Sequence, residues 1–133
     1  MDYKVTKSDA EWRELLGPQK YSILRQAGTE HAWTGALLDE KREGTYVCGA
    51  CNAPLFKSGT KFESGSGWPS FWAAVDPEAV QLISDRTYGM VRTEVRCGTC
   101  GSHLGHLFDD AYGTPTGDRY CMNSASLEFE PES

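Results

Sequence analysis

Two short segments constrain this chain more than any others: Cys48-Gly49-Ala50-Cys51 and Cys97-Gly98-Thr99-Cys100. Each is a C-G-x-C knuckle that follows a β-like run, Thr45-Tyr46-Val47 in the first case and Met90 to Arg96 in the second. Two thiolates three positions apart can bind one tetrahedral ion at ~2.3 Å only if the backbone turns tightly. Glycine allows such a turn at little steric cost. Four sulfurs leave no open coordination position, so the pattern predicts one structural zinc ion per chain, held by Cys48, Cys51, Cys97 and Cys100. About 45 residues separate the two knuckles, against ~15–20 in a simple zinc ribbon. The ion would therefore tie together two hairpins distant in sequence. The competing readings are buried free cysteines or two redox dithiols. A redox C-x-x-C belongs in a βαβ context, which neither knuckle shows.

The 133 residues fit a single domain, 1–133. A chain of this size buries roughly two thirds of its unfolded surface and needs no disulfide staples. Ser8 and Glu11 form a capping box, and Trp12, Leu15 and Leu16 share a helical face. Gly17 stops that helix and Pro18 suits the first turn of a second, in which Tyr21, Leu24 and Ala27 repeat before Gly28. Residues 29 to 44 have no period and read as a connection. Short β segments follow at 45–47, 80–84, 90–96, 120–123 and 126–129. The expected fold is mostly β, with a helical cap over about 8–28 and an antiparallel β core over about 44–130.

Thirteen basic and nineteen acidic residues give a net charge of −6. This argues against non-specific nucleic-acid binding and against attraction to an anionic membrane. The longest apolar run, Phe71 to Val75, is far short of the ~20 residues of a membrane span. The start Met1-Asp2-Tyr3-Lys4 has no h-region, so the expected location is cytoplasmic, where thiols stay reduced. A monomer is expected.

A fifth cysteine, Cys121, stands apart in Gly117-Asp118-Arg119-Tyr120-Cys121-Met122-Asn123. A lone cysteine is usually an inert small hydrophobe. Here Arg119 and Asn123 fall on the same strand face. A guanidinium favours the nucleophilic thiolate, and an amide can hydrogen-bond a sulfur or a bound oxygen. His103 and His106 directly follow the second knuckle. They are either structural or proton donors beside the thiol. Trp68, between Gly67 and Pro69 on a glycine-rich loop, reads as the wall of an apolar pocket, with Phe71 and Trp72 as core.

Together, the knuckles, Ser64-Gly65-Ser66-Gly67-Trp68-Pro69-Ser70-Phe71, His103-Leu104-Gly105-His106 and Arg119 to Leu127 resemble the B class of methionine-R-sulfoxide reductases. The resemblance runs from the N-terminal helices to Phe129. It implies two antiparallel sheets with small peripheral helices and a structural zinc, a Mss4-like fold. It also implies an oxidoreductase that acts on methionine-R-sulfoxide in proteins or peptides. Cys121 would be the nucleophile and would end as a sulfenic acid. His103 and His106 would bind and protonate the sulfoxide oxygen, and Asn123 and Arg119 would orient and activate the site with support from Asp110. Trp68 would pack against the substrate methyl group. Thioredoxin or a similar thiol would be the reductant.

Many relatives of that class carry a resolving cysteine where this chain has Ser66. Three readings follow: direct recycling by an external thiol, a zinc-ligand cysteine acting as resolver at the expense of the metal site, or an engineered serine that traps an intermediate. The first is expected here. The rival to catalysis is a zinc-stabilised β interaction module, which needs no nucleophile; a Zn hydrolase would need an open coordination position and an H-x-E motif.

Overall fold

A computed structural model describes residues 3–86, 89 and 91–132. Met1, Asp2 and Met90, which figure in the expectations above, lie outside them. Helix α1 spans Asp9–Arg25 and is broken at Gly17, where φ 77 and ψ 169 interrupt the helical path and Pro18 starts the second half. The capping box is present, with Ser8 and Glu11 satisfying each other's backbone N–H groups. The expected apolar face needs correction. Trp12 and Leu24 are buried, but Leu15 is 57 % exposed and Ala27 lies outside the helix at φ 54. Ile23 is buried instead. The first half-helix is short, and its contact stripe is filled by the Trp12 indole with the Arg25 guanidinium 4.6 Å over it.

Nine strands follow among the described residues: β1 (Gly44–Cys48), β2 (Pro54–Lys57), β3 (Lys61–Phe62), β4 (Ser70–Phe71), β5 (Val80–Asp85), β6 (Arg92–Cys97), β7 (His103–Phe108), β8 (Arg119–Met122) and β9 (Leu127–Pro131). They form two antiparallel sheets, one in the order β2-β1-β9 and one in the order β3-β4-β8-β7-β6-β5. This is the mostly β, two-sheet architecture expected.

The sheets pack through an aromatic core. Phe71 stacks on Phe56 at 4.5 Å between centroids and meets Tyr46 edge-on at 5.0 Å. Tyr120 closes on Phe56 from β8. Such aromatic pairs add roughly 0.5–1.5 kcal/mol each beyond the area they bury. Trp72 is only half-buried, unlike Phe71.

Strand alternation then sets which residues face outward. On β8, Tyr120 and Met122 point into the core, so Arg119 and Cys121 point away from it. Directly opposed residues share a face. Cross-strand pairing therefore lines up one outward row, Ile83, Glu94, His106, Cys121 and Ser70, across β5, β6, β7, β8 and β4.

Candidate active site and metal centre

His103 and His106 are three positions apart, and strict alternation would send them to opposite faces. A register shift prevents this. Val95 pairs with Gly105 while Arg96 pairs with His103, which leaves Leu104 as an extra residue in β7. The bulge turns Leu104 fully into the core and brings both histidine rings to the outer face, 5.4 Å apart and edge-on.

Each ring is held by a carboxylate that the sequence did not mark. His103 Nδ1 donates to Glu94 Oε2 at 2.7 Å, and Glu94 also accepts from Arg96 Nε at 2.9 Å. His106 Nε2 lies 2.9 Å from Asp85 Oδ2, which also accepts from Arg92 Nη2 at 3.3 Å. Burial pushes the His106 pKa down, and Asp85 only partly offsets this. The ring is therefore neutral at pH 7, with Nε2–H donated to Asp85 and Nδ1 left as an acceptor. Glu94 was legible only as a polar member of an alternating strand, and Asp85 falls just past the strand read at 80–84. Nothing local announces that they are enclosed.

His106, Cys121, Arg119, Asn123, Trp68 and Phe108 line a cleft of about 240 Å³. His103 sits behind this lining, 4 % exposed, against Glu94. Cys121 is half-buried, and its Sγ lies 3.9 Å from Ser66 Oγ. Burial pushes its thiol pKa up; the Ser66 hydroxyl and the Arg119 guanidinium pull it down by less. Arg119 is bound two-pronged to Asp110, at 2.8 and 3.0 Å, and lies over the Phe108 ring at 4.4 Å. Asp110 is outside the cleft, in an adjoining open depression of about 590 Å³ that shares Ser66 and Arg119 with it.

Asn123 lines the cleft, but its amide is engaged by backbone. Nδ2 donates to Leu104 O at 3.2 Å and Gly28 O at 3.4 Å, and Oδ1 accepts from Glu30 N–H at 3.0 Å. Trp68 is anchored through Nε1, which donates to Glu30 O at 3.0 Å. Its loop is laced by hydroxyls: Ser64 Oγ meets Ser66 Oγ at 2.8 Å and Ser70 Oγ at 2.7 Å. Gly67 turns that loop at φ 91, and a Cβ there would stand 2.8 Å from Ala32 Cβ.

The four knuckle cysteines converge. Their sulfurs all lie within 4.8 Å of one another, with Cys48–Cys100 at 3.8 Å and Cys51–Cys97 at 3.6 Å. A tetrahedron of ~2.3 Å metal–sulfur bonds has edges of ~3.8 Å, so the donor set fits such an ion. Ala50 N–H and Thr99 N–H each donate to a knuckle sulfur at 3.4 Å, the kind of outer-shell support that orients ligands. The glycines act differently from expectation. The left-handed residues follow each second cysteine, Asn52 at φ 64 and Gly101 at φ 79. Gly98 is required instead by close approach: a Cβ there would stand 2.4 Å from Glu78 O.

Known proteins resemble this chain over nearly its whole length. The family model for the SelR domain matches residues 16–131. The chain is 64% identical over 131 residues to the peptide methionine sulfoxide reductase MsrB of Leifsonia xyli subsp. xyli, covering 98% of this chain and 94% of that protein. It is 56% identical to the MsrB of Leptospira interrogans over 99% of this chain and all of that one, and 53% identical to the MsrB of Synechococcus sp. over 100% and 97%. The crystal structure of the Mis18 'Yippee-like' domain superposes with a TM-score of 0.55 at 17% identity, covering 69% of this chain and 99% of that one, a likeness of fold alone. Among the described residues no helix is long and apolar enough to cross a membrane.

Proposed function

This chain belongs to the SelR-domain family of peptide methionine sulfoxide reductases, and on that premise we propose that it reduces the R epimer of protein-bound methionine sulfoxide through a Cys121 sulfenic acid. The observation that carries this reading is the cross-strand pair of Cys121 and His106, on the floor of a cleft walled by Trp68 and Phe108.

The Cys121 thiolate attacks the sulfoxide sulfur. The sulfoxide oxygen is a poor leaving group until it is protonated. Neutral His106, fixed by Asp85, takes the Cys121 thiol proton on Nδ1, directly or through a water, and returns it to the sulfoxide oxygen, and His103 supports the same corner from behind. The protonated oxygen passes from the substrate sulfur to the Cys121 sulfur, so the substrate S–O bond and the transient Sγ–S bond both break. The substrate sulfur gains two electrons and leaves as a thioether, and the Cys121 sulfur loses two and becomes a sulfenic acid. One external thiol then forms a mixed disulfide with Cys121 and releases water. A second thiol, such as the partner cysteine of a thioredoxin, frees Cys121 and carries away the disulfide. Trp68 and Phe108 offer an apolar wall for the substrate methyl, opposite the polar groups that take the oxygen. Arg119, held by Asp110, lowers the cost of charge on Cys121.

The four cysteines suit zinc, because soft thiolates in a closed tetrahedral set favour that ion. When bound, it supplies no reaction chemistry and fixes the knuckles. Cysteines used as metal ligands and as an unpaired nucleophile, not as disulfides, suit a reducing compartment, which supports a cytoplasmic location. The protein acts as a single-domain monomer.

An assay with separated sulfoxide epimers, first with dithiothreitol and then with thioredoxin, tests the reading. Turnover of the R epimer and not the S epimer is expected, with one oxygen or a mixed disulfide on Cys121 by mass spectrometry after a single turnover. An unmodified Cys121, or an intrachain disulfide at that position, would overturn it.

A further inference from the structure

Residues 29 to 44 read as a featureless connection, yet the first part of it is bound to residues that line the cleft, and Glu30 is its hub. The Glu30 N–H holds the Asn123 side chain at 3.0 Å, and the Glu30 carbonyl holds the Trp68 indole at 3.0 Å. One residue thus joins two cleft-lining side chains that come from different strands and loops. Its own side chain is fixed: Oε1 accepts from Ala125 N–H at 2.9 Å. Gly35 lies against the other carboxyl oxygen so closely that a Cβ there would stand 2.3 Å from it. The segment is stitched down on both sides. Trp33 N–H donates to Gly67 O at 2.7 Å, beside Trp68, and Leu37 N–H donates to Ser124 Oγ at 3.2 Å, beside Asn123. Trp33 holds φ 71, an unfavourable backbone for a bulky residue, which persists only where its surroundings over-determine it.

We infer that Glu30 is a positioning residue: anchored through Ala125, it fixes the Trp68 ring relative to the Asn123 amide, and so sets the discrimination between the two sulfoxide epimers. The inference rests on the proposed reduction. The epimers carry the same groups and differ only in their handedness about sulfur. A site tells them apart only if its apolar wall and its polar side keep a fixed relation. A shift of about 1 Å in such a positioning group can cost on the order of a hundredfold in rate.

Glu30→Ala removes the anchor, whereas Glu30→Gln keeps an oxygen for Ala125 N–H. Two readouts apply to both variants: kcat/KM for each epimer, and hydrogen exchange of the Trp68 indole N–H by NMR. For Glu30→Ala we expect R-epimer kcat/KM to fall about tenfold or more, the R-to-S ratio to fall with it, and indole exchange to speed up by about tenfold. Glu30→Gln should stay within about threefold of the parent protein in both. Unchanged indole exchange and an unchanged epimer ratio in Glu30→Ala would overturn the inference. So would a loss of activity fully accounted for by a lowered thermal midpoint, with the ratio intact. If the parent protein reduces neither epimer, the proposed function fails, while the exchange result still decides whether Glu30 holds Trp68.

Discussion

Ser66 stands where its hydroxyl, 3.9 Å from Cys121 Sγ, can hydrogen-bond a thiolate but cannot close a disulfide. Its neighbours Gly65 and Gly67 both hold positive φ, so the loop presents the side chain at the cleft without strain there. A thiol in place of that hydroxyl would have to close from 3.9 Å to about 2.05 Å, through side-chain rotation together with movement of the glycine-flanked loop. Ser66→Cys is therefore expected to convert recycling by external thiol into an intrachain 66–121 disulfide after each turnover, seen as a two-hydrogen mass loss and as faster turnover with thioredoxin. Persistence of a sulfenic acid in that variant would show that the loop cannot make the approach. The same thiol governs the pH profile. Burial pushes it up, and Ser66 and Arg119 pull it back only in part. The thiolate is the attacking form, so the single-turnover rate should rise with pH until Cys121 ionises. Arg119→Met removes one downward pull. Its alkaline limb should move to higher pH and its rate at pH 7 should fall by about tenfold or more, measured by rapid-quench single turnover.

The β6–β7 pair shows what was legible in the sequence and what was not. The residues of the site could be picked out because their chemistry is unusual: a spare cysteine, a histidine pair, a tryptophan on a glycine-rich loop. Strand β7 itself was hidden. His103-Leu104-Gly105-His106-Leu107-Phe108 has no two-residue period, because the extra Leu104 breaks it. The short strands β3 and β4 were hidden too, since two residues carry no pattern. Glu94 escaped notice for a different reason. Its enclosure depends on β7 lying beside it, a contact no local window contains. Burial works to raise the Glu94 pKa, but His103 and Arg96 outweigh it, so the carboxyl stays below its usual range. An acid depressed in the folded state stabilises the fold above its unfolded value, and that contribution is lost as pH falls through the folded one. Glu94→Gln should then cost about 1–3 kcal/mol near neutral pH. The gap to the parent protein should narrow in acid, as pH falls below the ordinary glutamate range and through the lower folded value of Glu94. Urea unfolding at both pH values measures it, and a gap indifferent to pH would place the origin elsewhere.

At the scale of the molecule, the knuckles join the two sheets. Cys48 and Cys51 lie on the β1–β2 hairpin of the three-stranded sheet, and Cys97 and Cys100 lie on the β6–β7 hairpin of the six-stranded one. The second hairpin also carries the histidines, so what holds the knuckle holds the proton-handling corner of the cleft. Arg25 adds a third element by donating from α1 to Cys100 O at 2.9 Å and Ser102 Oγ at 3.1 Å. The spacing of the cysteines announced this cross-link, whereas the order of strands between them was not readable, because strand order is decided by packing. Structural zinc sites contribute about 10–16 kcal/mol of apparent binding free energy, which matches the whole stability of an ordinary domain, about 5–15 kcal/mol. Removing the ion with a strong chelator, or replacing Cys97 by serine, should therefore unfold the chain or lower Tm by more than about 15 °C, with activity lost in parallel. One zinc per chain by mass spectrometry and the calorimetric midpoint test this. A second measurement separates a structural ion from a catalytic one. None of the four cysteines lines the cleft, so a cobalt-substituted protein should show thiolate-to-cobalt absorption and keep kcat within about twofold. A changed kcat at unchanged Tm would mean that the ion takes part in the reaction.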